Sequence, residues 1–151
     1  MGLDMYLTRK VYVKDWTDDN AYRVTVLHNG NPLDLDTKKI THVIEEAGYW
    51  RKANAIHKWF VDNVQSGVDD CKEYYVGRTD LQKLLDTCLQ VLESPKQAQE
   101  LLPTTNGFFF GNTDYDGGYL DDLNLTVEIC RKALAGLDAV KHSSYYYQSS
   151  W

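Results

Sequence analysis

The alternation of apolar and polar positions in the first third of the chain predicts β-strands. Residues 3–13 are rich in β-branched and aromatic side chains, which favours a first strand, and residues 14–20 form a polar loop. Residues 22–28 alternate in polarity and precede an Asn-Gly pair at 29–30, a hairpin signal because both residues tolerate positive φ. A further strand is predicted within 40–46. We expect these strands to form an antiparallel sheet.

Helical periodicity replaces this alternation in three later segments. The first runs from about residue 49 to 65, the second from Thr79 to the Ser-Pro pair at 94–95, and the third from about 119 to 137. Gln82 completes a capping box with Thr79. The apolar stripes of the three helices consist of Ala53, Ile56, Phe60 and Val64, then of Leu81, Leu84, Leu85, Cys88, Leu89 and Leu92, and finally of Leu120, Leu123, Val127, Cys130, Leu134 and Leu137.

Short strands separate and follow these helices. Residues 72–76 and the aromatic segment 107–110 are predicted as brief strands, with a polar connection at 95–106 and a loop at 111–118. The Tyr-rich ending at 145–151 is predicted as a last strand, because a solvated tail rarely carries so many aromatics. Together the elements predict an α+β fold, with about three helices packed on a mostly antiparallel sheet. The length fits a single domain over residues 1–151.

Charge and cysteine content disfavour several classes of function. The formal net charge of −6 argues against binding to duplex nucleic acid, which relies on a basic surface. No run of about 18 apolar residues predicts a membrane span, and the first residues lack the basic and apolar regions of a secretory signal. The three cysteines are far apart and show no metal-ligand spacing. We expect a cytoplasmic protein with reduced thiols, no membrane contact and no metal or other cofactor.

Residues 49–60 concentrate more chemistry than a core helix needs, with four aromatics, three cations, an Asn and a His. Aromatic rings can stack on a ligand, and cations at a helix start can hold a phosphate or carboxylate. Amide and imidazole groups can then recognise the polar edges of that ligand. The candidate ligand-binding residues of this segment are Tyr49, Trp50, Arg51, Lys52, Asn54 and His57. The alternative is structural: the cations form a solvated face and His57 is a core histidine.

The loop that precedes the third helix adds acidic candidates. It begins like a calcium-binding loop, with oxygen-bearing side chains at alternate positions from Asn112 and a Gly at the sixth position. The twelfth position is Leu123 rather than Glu, so a turn closed by side-chain-to-backbone bonds explains the composition better than a metal site. We expect Asp114, Tyr115 and Asp116 to close the ligand site from this loop.

The histidines allow a catalytic alternative. A small hydrolase could use His42 or His57 as a general base, together with Asp114 or Asp116. The four histidines have no mutual spacing that indicates metal ligation, and the chain has no nucleophile elbow, glycine-rich phosphate loop or GxGxxG motif. Nucleotide-dependent phosphoryl transfer is therefore not expected.

Several distinctive segments resemble a family of small proteins found in phages, prophages and some bacteria. They are the opening MGLDMYL, GYWRKANAIHKWF at 48–60, CKEYY at 71–75, FFFGNTDY at 108–115 and the ending QSSW at 148–151. The resemblance covers nearly the whole chain. It implies a small accessory protein, a class that often inhibits a host process and that includes counter-defence proteins sequestering nucleotide second messengers.

These observations favour a non-enzymatic binding protein with a pocket for a small polar, nucleotide-like ligand. A second hypothesis is an inhibitor that contacts a host protein through an aromatic surface, since tight interfaces concentrate their energy in Trp, Tyr and Arg. The third hypothesis is the small His/Asp-dependent hydrolase. Composition alone does not separate the three.

Overall fold

The computed structural model describes residues 2–14 and 24–151; the predicted loop at 14–20 and the first residues of the predicted strand at 22–28 fall largely outside them. In these ranges the strands are β1 (Asp4–Tyr12), β2 (Leu27–His28), β3 (Asn31–Pro32), β4 (His42–Arg51), β5 (Tyr74–Val76) and β6 (Ser143–Ser150). The α-helices of the same ranges are α1 (Asn54–Asn63), α2 (Arg78–Glu93), α3 (Ala98–Leu101) and α4 (Gly117–Ala139).

Strand β1 lies inside the main sheet, whose strands in the described ranges run in the order β4-β1-β6-β5 with every neighbouring pair antiparallel. Alternation along β1 places Met5 and Leu7 in the core and Tyr6 and Thr8 on the opposite face. The helices cover the core face, and we call the opposite one the open face. The predicted α+β fold with a mostly antiparallel sheet is confirmed.

The hairpin formed by β2 and β3 turns at the predicted Asn-Gly pair. Asn29 and Gly30 adopt φ angles of +50° and +78°, and the two strands pair in antiparallel register. Positive φ at both residues is what a two-residue hairpin turn requires, so this prediction is confirmed. The Tyr-rich ending also forms a strand, β6, which pairs with β1 along its whole length.

A bulge in β4 and the glycine beside it bring the sheet close to α4. The register of β4 against β1 shifts between Leu7 and Thr8, which leaves Ala47 as the extra residue. A Cβ on Gly48 would lie 2.6 Å from Cγ2 of Ile129, so glycine is required at this contact. The bulge ends the regular first half of β4.

Helix α1 begins later than its periodicity predicts. Residues 49–51 pair with β1 as the end of β4, although they also fit the helical period. Lys52 then adopts a φ of +58° and turns the chain, and α1 starts at Asn54. Strand pairing outweighs the local helical pattern here because it also buries the side chain of Trp50.

Three further segments differ from the prediction. Residues 107–110, expected as a strand, form a turn closed by a backbone hydrogen bond of 3.1 Å between its last and first residues. The cap of α2 is Gly77 rather than Thr79, and the carboxylate of Asp80 accepts the Gly77 amide at 2.9 Å. The predicted capping box of Thr79 and Gln82 is therefore not formed: glycine has no side-chain acceptor, and only the bond from the Gly77 amide to Asp80 is present. The connection at 95–106 contains a 3-10 turn and the short helix α3.

Aromatic side chains are divided between the core and the open face. Phe60 and Tyr147 stack with ring centroids 3.9 Å apart, and Trp50 meets Phe60 edge-on. In the part of the chain that is described, the tyrosines on the open face are Tyr6, Tyr12, Tyr49, Tyr75 and Tyr146. The aromatic excess therefore supplies a dense core and, separately, a tyrosine-rich surface.

Candidate functional site

A cleft of about 320 Å³ lies between the start of α1, the loop that precedes α4 and the first turns of α4. The charged and amide side chains that line it are Arg51, Lys52, Asn54, Asp114, Asp116 and Asp122, with Asn112 beside them. The candidates predicted from sequence include every charged residue of this set except Asp122, and they also include Asn54. The structure thus brings the segments 49–60 and 112–118 to one site.

Lys52 has a strained backbone conformation where it lines the cleft. Its φ of +58° lies in the left-handed region, which is unusual for a lysine. Its amide donates to the carbonyl of Leu3 at 2.8 Å, and its carbonyl accepts the amide of Asn54 at 2.9 Å. The aliphatic stem lies beside Gly2 and Gly111, where an added Cβ would be 3.2 Å from a Lys52 carbon. A strained backbone conformation costs free energy and persists only where surrounding contacts maintain it. Such conformations often occur at functional sites.

Asn54 anchors the loop, and both its amide nitrogen and its amide oxygen take part in hydrogen bonds. Its side chain is 4% exposed. The amide nitrogen donates to the carbonyls of Phe110 and Asn112 at 3.1 and 2.7 Å, and the amide oxygen accepts the Thr105 amide at 3.1 Å. These bonds give Asn54 a structural role in shaping the cleft that it lines, and its contact with a ligand stays a prediction.

The acidic loop is held by the side-chain-to-backbone bonds expected of its composition. The side-chain oxygen of Asn112 accepts the Asp114 amide at 2.6 Å, and its nitrogen donates to Asp116 at 3.0 Å. Asp116 also caps α4 by accepting the Tyr119 amide at 3.1 Å. By contrast, the carboxylate of Asp114 is exposed and has no hydrogen-bond or ion-pair partner within the described ranges. Asp114 is thus available to a ligand, whereas Asp116 is mainly structural.

Tyr115 supports the loop from outside the cleft. Its ring packs edge-on against Tyr119 with centroids 5.0 Å apart, and its hydroxyl accepts the Thr104 amide at 3.3 Å. It does not line the cleft. The expected direct contribution of Tyr115 to the ligand site is therefore replaced by a bracing role.

Asp122 is the cleft residue that sequence reasoning missed. Burial, followed by repulsion from Asp121 and Asp116, raises the pKa of Asp122 to about 6. Its carboxylate has no hydrogen-bond or ion-pair partner in the part of the chain that is described. No local signal marked Asp122: the burial of Tyr119 and Thr126, which lie on the same side of α4, is a result of the fold.

The start of α1 adds positive potential beside the two cations. In the described structure no side chain caps α1, and the backbone N–H groups of Ala55 and Ile56 have no hydrogen-bond partner. Both residues line the cleft. Free N–H groups and the helix dipole favour an anion at this point, next to Arg51 and Lys52.

The two aromatics expected to stack on a ligand lie elsewhere. Trp50 is 1% exposed, and its indole N–H donates to the Thr126 hydroxyl at 2.9 Å in the core. Tyr49 lies on the open face, where its ring tilts against Tyr6 at 5.3 Å. Its hydroxyl donates to Asp4, and this bond raises the pKa of Tyr49. The stacking role is corrected for both residues, because neither ring reaches the cleft.

His57 is a core histidine, in agreement with the structural alternative. It is 1% exposed. Its Nδ1 lies 2.8 Å from the Tyr147 hydroxyl, and its Nε2 lies 2.9 Å from Asp69. Burial raises the pKa of Tyr147 well above its ordinary value, so the hydroxyl stays protonated. Both ring nitrogens are engaged away from the cleft, and the expected contribution of His57 to a ligand site is corrected.

The pairing required by the hydrolase hypothesis is not formed. His42 begins β4, while Arg51 at the cleft ends it, about 30 Å away along an extended strand. Over the described residues neither His42 nor His57 forms a hydrogen bond or ion pair with Asp114 or Asp116. No general base of the predicted kind therefore meets the acidic loop.

Within residues 2–14 and 24–151, no group of three or more His, Cys, Asp or Glu side chains is arranged to hold a metal ion. Over the same ranges, no helix combines the length and apolar character needed to cross a bilayer. Comparison with protein-family models, curated proteins and solved structures gives no significant match. The fold and the cleft define an α+β protein with a surface cleft of mixed charge.

Proposed function

We propose that this is a non-enzymatic protein whose cleft binds a small polar ligand, with an anionic group at one end and hydroxyl or amino donors at the other. Nucleotides belong to this class. The observation that carries the proposal is the charge arrangement: Arg51 and Lys52 line the same cleft as Asp114 and Asp122, whose carboxylates have no partner among the described residues. A ligand with both kinds of group satisfies all four side chains at once.

The anionic group of the ligand belongs beside the start of α1. Arg51 and Lys52 supply two positive side chains, and the free amides of Ala55 and Ile56 supply oriented donors. Arg can meet a phosphate or carboxylate with two parallel hydrogen bonds, which adds orientation as well as energy. This end of the cleft therefore favours a phosphate or carboxylate.

The size of the cleft limits the ligand. About 320 Å³ is near the lower end of the roughly 300–1,000 Å³ typical of ligand pockets. A mononucleotide or a smaller molecule suits this volume better than a dinucleotide. Because Trp50 and Tyr49 lie elsewhere, the ligand is held by its polar groups rather than by a large stacking surface.

The resemblance to small phage and prophage proteins extends the proposal to a cytoplasmic counter-defence protein that sequesters a nucleotide-like ligand. Sequestration requires binding without turnover. The engagement of both His57 nitrogens in the core supports this, since it removes one candidate base. Intact nucleotide recovered after denaturing the complex is the expected result, and chemical conversion of the nucleotide would contradict it.

Thermal-shift screening with nucleoside monophosphates and inorganic phosphate tests the ligand class. A stabilising compound should lose its effect in Arg51→Ala, because the anion end loses a charge. Arg131→Ala is the matched control, since Arg131 is an exposed arginine on α4 outside the cleft. Equal shifts in Arg51→Ala and the native protein would refute the assignment.

A second candidate function is inhibition of a host protein by surface contact. The observation that favours it is the open face, where several tyrosines present large rings with polar tips. Under this proposal Tyr75→Ala should abolish capture of the host partner, while Arg51→Ala should not. The reverse pattern would favour the cleft instead.

A further inference from the structure

Among the described residues, the outer edge of β4 is open for pairing. Strand β4 is at the edge of the main sheet, and no other strand of the described residues pairs with its outer side. Residues 42–46 are exposed, including the apolar side chains of Val43 and Ile44 at 41% and 62%. An edge strand with exposed apolar residues is a ready template for another strand.

The part of β4 that can accept a partner has defined limits. Its pairing with β1 is regular from His42 to Glu46, and the bulge at Ala47 then interrupts the pleat. The central residue of this regular run is Ile44. If an identical strand pairs antiparallel with this run, a two-fold axis relates the two strands. When the whole run is paired, that axis passes through its central residue, Ile44.

We propose that a second copy of this chain pairs antiparallel with residues 42–46, joining two main sheets across a two-fold axis at Ile44. In this register Ile44 faces its own copy on the open side of the sheet. His42 faces Glu46 of the second copy, once on each side of the axis. A second copy fits because the run is complementary to itself.

The charges agree with this register. Nδ1 of His42 lies 3.0 Å from the Thr41 hydroxyl, and within the described structure its Nε2 has no partner, which leaves it for Glu46 of the second copy. On the other face Val43 meets Glu45 of the second copy, whose charge is already paired with Arg9 of its own chain. The neighbouring register centred on Glu45 instead places two carboxylates opposite each other, which is unfavourable.

Measurement of the oligomeric state tests the proposal directly. Sedimentation equilibrium of the full chain over a wide concentration range should show a monomer–dimer equilibrium. Ile44→Lys should shift the protein to monomer, because two ammonium groups would meet at the axis. Tyr75→Lys is the control, because Tyr75 is on the opposite edge strand with the same exposed fraction of 62%. A native protein that stays monomeric, or a dimer unaffected by Ile44→Lys, overturns the proposal.

Cross-linking tests the register independently. Ile44→Cys places two thiols directly opposite across the axis, within the Cα separation that a disulfide accepts. Val43→Cys is offset from its own copy and should not cross-link. Both variants carry Cys71→Ser, since Cys71 is half-buried whereas the other two native thiols are buried. Covalent dimer from Ile44→Cys alone supports the register, and equal cross-linking by both variants, or by neither, overturns it.

Discussion

Replacing Asp122 with Asn should stabilise the protein, because the native carboxylate opposes folding when it is ionised. Burial and the neighbouring carboxylates raise the pKa of Asp122 from 3.8 to about 6. A folded-state pKa above the unfolded one means that the unfolded chain holds the charge more easily. The penalty is absent below about pH 4, grows between about pH 4 and 6, and is fully present above about pH 6.

The size of the expected stabilisation follows from the pKa shift of Asp122. Two pKa units correspond to about 3 kcal/mol, and partial exposure of Asp122 to solvent reduces this to about 1–2 kcal/mol. Asp122→Asn keeps the shape of the side chain and removes the charge. For a protein of this length we expect the melting temperature above pH 6 to rise by about 3–6 °C.

Urea unfolding at several pH values between about 4 and 8 measures this prediction. The difference between Asp122→Asn and the native protein should grow with pH through the titration range and then level off. Glu128→Gln is the control, because it removes one charge from an exposed position of the same helix. A constant difference across the pH range, or destabilisation above pH 6, would refute the reasoning.

Three other substitutions, each measured by thermal or urea unfolding, test the cleft, the buried histidine and the close contact between β4 and α4. Lys52→Gly should stabilise the protein by up to about 1 kcal/mol by relieving its left-handed φ, and should weaken anion binding. Tyr147→Phe should destabilise by about 1–3 kcal/mol, since Nδ1 of His57 loses its buried partner. Gly48→Ala should destabilise by about 1–3 kcal/mol, because the added methyl group overlaps α4.

Matched controls accompany these variants. Ser66→Gly relieves a similar φ of +55° away from the cleft and should stabilise without changing anion binding. Tyr146→Phe removes a hydroxyl on the open face and should have little effect. Gly117→Ala adds a methyl group where no atom lies within 4 Å. If Tyr146→Phe or Gly117→Ala changes stability as much as its partner, the contact tested by that pair is not responsible. If Ser66→Gly weakens anion binding as much as Lys52→Gly does, the role of Lys52 in the cleft is refuted.

The predicted elements that the structure confirms depend on local patterns. The hairpin turn at 29–30 follows from two residues that tolerate positive φ, and β1 follows from its β-branched and aromatic composition. The main body of α4 follows from an apolar stripe with helical spacing. Each of these signals is contained within the segment that it describes, so the sequence alone was enough.

Segments compatible with two structures were predicted less well. Residues 49–51 fit a helical period but pair with β1, and residues 107–110 have strand composition but form a turn. Their state depends on what lies beside them. The first segment has a neighbouring strand to pair with, whereas the second contributes only one backbone bond to residue 3.

The sequence by itself determined the α+β elements and marked two segments, 49–60 and 112–118, as rich in polar chemistry. Only the tertiary structure decided which of their side chains share a cleft, that Trp50 and His57 lie in the core, and that Asp122 joins the site. The physical reason is that burial and proximity arise from contacts distant in sequence. The side-chain amide of Asn54, for example, donates hydrogen bonds to carbonyls 56 and 58 residues away, and no local sequence pattern predicts those bonds.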